Sequence, residues 1–122
     1  MFDSAGVCDA LARVAAADRT AGQQADGVEA WDDLQPLIVA SSHEAADLYD
    51  EARSVAPAEL AEVLELVAGV TRELAHLAAE APSQDAFQRR GQRLADFAEA
   101  QTAIAQLNSY GRRNCGFTLA DN

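Results

Sequence analysis

Apolar residues recur along this chain at steps of three and four, and the steps persist through four long stretches. That period places them on one face of an α-helix. From Asp3 to about Asp18 the face reads Val7, Cys8, Leu11, Val14 and Ala15, with Asp3 or Ser4 placed to cap the start. Arg19 to Gly27 is polar and holds Gly22 and Gly27, so a loop is expected there. The second stretch carries Trp31, Leu34, Ile38, Ser41, Ala45, Leu48, Ala52 and Val55, in steps that alternate between three and four as in helix bundles. Pro36 conflicts with a helix interior, where it removes a hydrogen bond and clashes with the carbonyl four residues back. Either the regular helix starts near Asp33, after a short lead-in turn over Val28 to Asp32, or it kinks at Pro36; the late start is the favoured expectation. Asp32 and Asp33 then lie at the positive end of its dipole.

Ala56-Pro57 ends the second helix and opens the third, with proline at a favourable first position. Its seam continues through Leu60, Val63, Leu64, Val67, Val70, Leu74, Leu77 and Ala78. Running from Pro57 to Glu80, it would be about 36 Å long. Gly69 falls mid-helix, at a cost of up to about 1 kcal/mol against alanine, and is expected to allow close packing of a neighbour. Ala81-Pro82-Ser83 ends that helix, with Ser83 capping a fourth. The fourth face reads Phe87, Leu94, Phe97, Ala98, Gln101, Ile104 and Ala105, followed by Leu107. It is expected to run to about Asn114, with Gly116 as a left-handed cap and Phe117 and Leu119 folding back onto the end. Four helices on three short loops imply one domain over residues 1–122, an all-α, antiparallel, up-and-down four-helix bundle.

Composition supports helices, since alanine is abundant while proline (3) and glycine (7) are scarce. At 122 residues the chain can bury a core without metals. Its apolar runs are too short to span a bilayer. A net charge of −11 argues against nucleic acid and against an anionic membrane face, and its simplest meaning is solubility. Every basic residue apart from the two histidines is arginine. The start, Met1-Phe2-Asp3-Ser4, has neither a basic nor an apolar signal region. The expectation is either a cytosolic protein or a mature segment.

The two cysteines lie at opposite ends of the sequence. In an up-and-down bundle the first helix starts where the fourth finishes, so Cys8 and Cys115 share a pole, as a bridge requires. Closing a loop of roughly 100 residues contributes up to about 5 kcal/mol in the chain-entropy account. Two buried free thiols acting as small hydrophobes are the competing reading. Zinc needs more ligands than two cysteines without neighbouring histidines, and a redox pair would favour Cys-x-x-Cys. A bridge implies an oxidising compartment.

Three segments carry a resemblance: Cys8-Asp9-Ala10-Leu11-Ala12, Ala56-Pro57-Ala58-Glu59-Leu60, and Tyr110 with Cys115-Gly116-Phe117. Together the chain resembles a class of small exported, lipoprotein-like helical proteins of actinobacteria whose function is unknown. The resemblance covers the chain in outline and implies export with a terminal Cys–Cys bridge. The chain departs from that class by lacking a signal peptide or lipobox cysteine. The class supplies no catalytic residues.

Few constellations suggest chemistry. Glu73-Leu74-Ala75-His76 has the Glu-x-x-His spacing of di-iron bundles, with Glu80 a turn further, but it occurs once. His43, with Glu44 and Asp47, falls about 10 Å away along the axis when the second and third helices turn back on each other. No metal site or cofactor is expected. Glu59, Glu62, Glu65, Glu73 and Glu80 read as a water-facing stripe. Ser41, Ser42 and Gln101 interrupt apolar faces and need partners. No phosphate-binding glycine loop, Gly-x-Ser-x-Gly or His-Glu-x-x-His occurs, so the expectation is no enzyme. Arg89, Arg90 and Arg93 form one basic patch and Arg112 with Arg113 a second. Each suits either local ion pairing or docking of an acidic partner.

The sequence thus points to a non-catalytic secreted or envelope-associated binding module, monomeric or weakly dimeric, with an unknown protein or cell-envelope partner. The alternatives are a bundle holding a small ligand or metal between its helices, and a cytoplasmic interaction protein with free thiols.

Overall fold

The computed structural model describes residues 4–116, and they are helical almost throughout, with no strand among them. Five helices follow in order: α1 Ser4–Ala25, α2 Trp31–Ser54, α3 Ala58–Glu80, α4 Gln84–Gln92 and α5 Phe97–Tyr110. A π turn over Gly111–Cys115 completes the described chain. The expected places of Phe117 and Leu119 lie outside the described residues.

α1 runs through the segment expected to be a loop. Ala21, Gln23, Gln24 and Ala25 are good helix formers and outweigh the roughly 1 kcal/mol cost of Gly22. The helix stops where Gly27 adopts a φ of 78°, a conformation that glycine takes without penalty. The added turns leave the core, since none of the residues Asp18–Ala25 is buried.

α2 starts at Trp31, two residues before the expected Asp33, and Pro36 lies inside it. Cross-helix hydrogen bonds hold this early start. Trp31 Nε1 donates to the Ala81 carbonyl at 2.9 Å. Gln35 Nε2 donates to the Ala78 carbonyl at 2.8 Å and the Ala79 carbonyl at 3.0 Å. The last carbonyls of a helix have no partner within it, so the first turns of α2 cap the end of α3. The Trp31 ring also leans on Phe87 of α4, centroids 5.9 Å apart. These bonds set α2 and α3 antiparallel. Gly6 near the start of α1 lies against Val55 at the end of α2, which sets that pair antiparallel too.

Ser83 caps α4 as expected, its side chain accepting from the Ala86 N–H at 3.1 Å. The single fourth helix expected from Ser83 to Asn114 is instead broken between Gln92 and Phe97. The reason is a slip in apolar phase. Phe87, Gly91 and Leu94 keep one face, and a continuous helix would next bury positions near 98, 101 and 105. The residues buried on α5 are Ala100, Ala103 and Leu107, offset by two positions. A rigid helix cannot turn its face by about 200° in one step, so it ends and restarts. Gln101 and Ile104, expected on the core face, are exposed as a result.

The core concentrates at one pole. Val7, Leu11 and Val14 of α1 meet Ala45, Tyr49 and Ala52 of α2, Leu60, Leu64 and Val67 of α3, and Ala103 and Leu107 of α5. α3 is the hub, touching α2, α4 and α5, while α1 rests on α2 and the π turn. Gly69 does not serve close packing: it is exposed, and a Cβ added there would meet nothing within 4 Å. Gly91 does, since a Cβ there would stand 3.1 Å from Leu74 Cδ2.

Candidate interaction surface

The core pole is also where the chain is cross-linked. Cys8 lies in the second turn of α1 and Cys115 ends the π turn, and their Cα atoms are 5.4 Å apart. The sulfurs are at bonding distance, 1.99 Å, and join residues 107 positions apart. Gly116 follows with φ 75°, the left-handed cap expected there. The bridge is only half-buried, so it staples the surface beside the core instead of lying within it.

The basic residues form two groups. Arg89, Arg90 and Arg93 lie at the end of α4, where Arg89 pairs with Asp85 at 3.2 Å. Arg112 and Arg113 lie in the π turn, where Arg113 Nε donates to the Ser109 carbonyl at 3.3 Å. The fourteen residues of α5 separate the groups, a span of about 21 Å, so they are two patches and not one. Arg90, Arg93, Arg112 and Arg113 have no carboxylate partner among the described residues. Elsewhere arginines tie helices together: Arg13 to Glu51 at 3.1 Å across α1 and α2, and Arg72 to Asp47 at 3.1 Å and to Asp50 across α3 and α2.

This uneven pairing follows from how charge is laid along the chain. Between residues 4 and 83, fifteen Asp and Glu stand against four Arg. Between residues 84 and 116, three stand against five. The α4–α5 arm is therefore net positive on a strongly acidic protein, and of its five arginines only Arg89 has a carboxylate partner among the described residues.

Two shallow grooves flank the outer side of α5. One, of about 500 Å³, is lined by Thr102, Ala105, Gln106, Ser109, Arg112 and Arg113, with no acidic residue. The other, of about 410 Å³, runs between α5 and α3 and is lined by Val63, Leu66, Ala98 and Ala103, edged by Glu62 and Glu99. Thr102 and Gln106 form the ridge between them. The sequence reading missed this surface because it placed Ala98 and Ala105 inward. The phase slip between Leu94 and Ala100 was the available signal.

The chain matches no known protein family, no curated protein and no solved structure.

The remaining candidate groups have local roles. His76 Nε2 lies 3.1 Å from Glu80, an exposed pair one turn apart on α3. Asp47, beside His43 in sequence, is engaged by Arg72. Ser41 donates back to the Ile38 carbonyl at 3.2 Å, so its place on the apolar seam is satisfied within its own helix. Tyr49 is buried in the core, and its phenol is pushed well above the ordinary range by desolvation, with a further push from the charge of Asp18. Tyr110 is raised too, by desolvation and then by Glu59. Among the described residues no helix is long and apolar enough to cross a membrane.

Proposed function

We propose that this protein is a non-catalytic, secreted or envelope-associated helical binding module, in which α4 and α5 together form the broken fourth arm of an up-and-down bundle. The observation that carries the reading is the Cys8–Cys115 bridge, which uses both cysteines of the chain and joins α1 to the turn after α5. Bridges of this kind persist in oxidising compartments and are reduced in the cytosol of most organisms. Binding, as opposed to catalysis, is supported by the surface: open grooves and uncompensated arginines at Arg90, Arg93 and Arg112 offer charge to an acidic protein or envelope partner. Arg89 and Arg113 flank those contacts, partly engaged by Asp85 and the Ser109 carbonyl.

Cell fractionation with immediate alkylation of free thiols tests the compartment. The expected result is protein in the medium or envelope fraction, unalkylated and two mass units lighter than its reduced form. Protein recovered from the cytosol carrying two alkyl groups would sink the reading.

A further inference from the structure

We propose that the outer face of α5 pairs with the same face of a second copy of this chain, antiparallel about a two-fold axis, to form a weak dimer. α5 buries Ala100, Ala103 and Leu107 on one side. Directly opposite stand Ala98, Thr102, Ala105 and Ser109, of which the first three are exposed and Ser109 half-buried. Their steps of four, three and four read the same in both directions along the helix. A face with that property can mate with its own copy reversed, which is what an isologous interface requires.

Charge selects both the occupant and its direction. Glu99 lies in the first turn of α5, and Arg113 lies just past its last turn. Neither has an ion-pair partner among the described residues. Arg113 uses only Nε, on the Ser109 carbonyl, and its terminal nitrogens remain available. In the antiparallel register that pairs these four positions, Glu99 of each copy lies five residues, about 7.5 Å along the axis, from Arg113 of the other, within reach of two long side chains, at both ends of the contact. A parallel pair would set like charges side by side. The same charges suit the dipole of α5, which explains their ends of the helix but not the absence of a neighbour over the face between them. The approach brings two net-positive arms together, a repulsion that the two Glu99–Arg113 pairs offset and that keeps the contact weak, while the strongly acidic surfaces of α1 to α3 stay apart. The neighbouring groove with Val63 and Leu66 extends the contact onto α3.

The seam is short, about 21 Å for the fourteen residues of α5. One such helix pair falls below the area of a standard stable interface, so the dimer should dissociate on the order of 0.1 mM. This inference does not depend on the compartment in which the protein resides.

Sedimentation or light scattering of the intact, oxidised chain from about 10 µM to 1 mM, in about 0.15 M salt, reads it directly. The mean mass should rise from 12.9 kDa toward twice that value. Glu99→Arg alone and Arg113→Glu alone should each weaken self-association about tenfold or more, because each sets like charges at both ends. An equimolar mixture of the two variants should associate again, since every Arg then faces a Glu. That recovery also shows that the variants are folded. Ala105→Glu, at the centre of the seam, should abolish association while circular dichroism stays helical. A mass that stays at 12.9 kDa throughout overturns the proposal and leaves the face to an acidic foreign partner. A mixture that fails to recover, or an Ala105→Glu variant that still associates, overturns it equally.

Discussion

Replacing both cysteines, Cys8→Ala with Cys115→Ala, isolates what the bridge contributes. The bond closes a loop across a sequence separation of 107. The loop-closure entropy lost from the unfolded chain at that length corresponds to about 4.8 kcal/mol at 25 °C. Little in the packing stands in for it. α1 and α5 are joined mainly through the π turn, and α5 rests on α3 through a single row of Ala100, Ala103 and Leu107. Urea unfolding of the oxidised wild type and the double variant should therefore differ by roughly 2 to 5 M in midpoint, for slopes of about 1 to 3 kcal/mol per M. Reduction of the wild type should give the same loss, which separates the bond from any effect of the alanines. Amide exchange should show α5 losing protection first, because the variant frees the arm with the fewest neighbours. A loss below about 1 kcal/mol would refute the reasoning, because the unfolded ensemble would then already hold residues 8 and 115 near each other.

Three further outcomes follow from named contacts, and a fourth from a buried phenol. Gly69→Ala should stabilise by roughly 0.5 to 1 kcal/mol, since the site is an exposed helix interior with open space. Gly91→Val should destabilise by roughly 1 to 3 kcal/mol, because Leu74 leaves no room, and both are read from thermal or urea midpoints. Gln35→Ala strands the α3 carbonyls at Ala78 and Ala79 and should cost about 1 to 2 kcal/mol, with the end of α3 exchanging faster. Burial raises the Tyr49 phenol in the fold, so the unfolded chain ionises it first and its contribution to stability is lost as pH rises above about 10. Tyr49→Phe should remove that part of the alkaline decline, measured by urea midpoints between about pH 8 and 11.

The periodic seams carried most of the fold. Leu34, Ala45 and Ala52 on α2, and Leu60, Leu64, Val67 and Val70 on α3, are buried as their spacing requires. The bridge followed from counting helix directions, which is topology and not local chemistry. Boundaries set by competition were harder to read. Polar but helix-favouring residues carry α1 past Arg19, and Pro36 is accepted inside α2 because Trp31 and Gln35 are anchored to α3, fifty and more than forty residues away. Such long-range bonds leave no periodic trace. The outer face of α5 was hidden for a different reason: a slip of two positions turns every side chain by about 200°, so reading the fourth stretch as one helix turned that face inside out.

Because residues 8 and 115 are covalently joined at one pole, a tension applied between the flanking segments runs across the two sulfurs and bypasses everything between them. Without that shunt, the 107 intervening positions could release roughly 360 Å of extended chain under load. With it, the tether lengthens by almost nothing and the helices stay slack. A protein built this way can be held by both tails, pulled or sheared, and still present an undeformed surface.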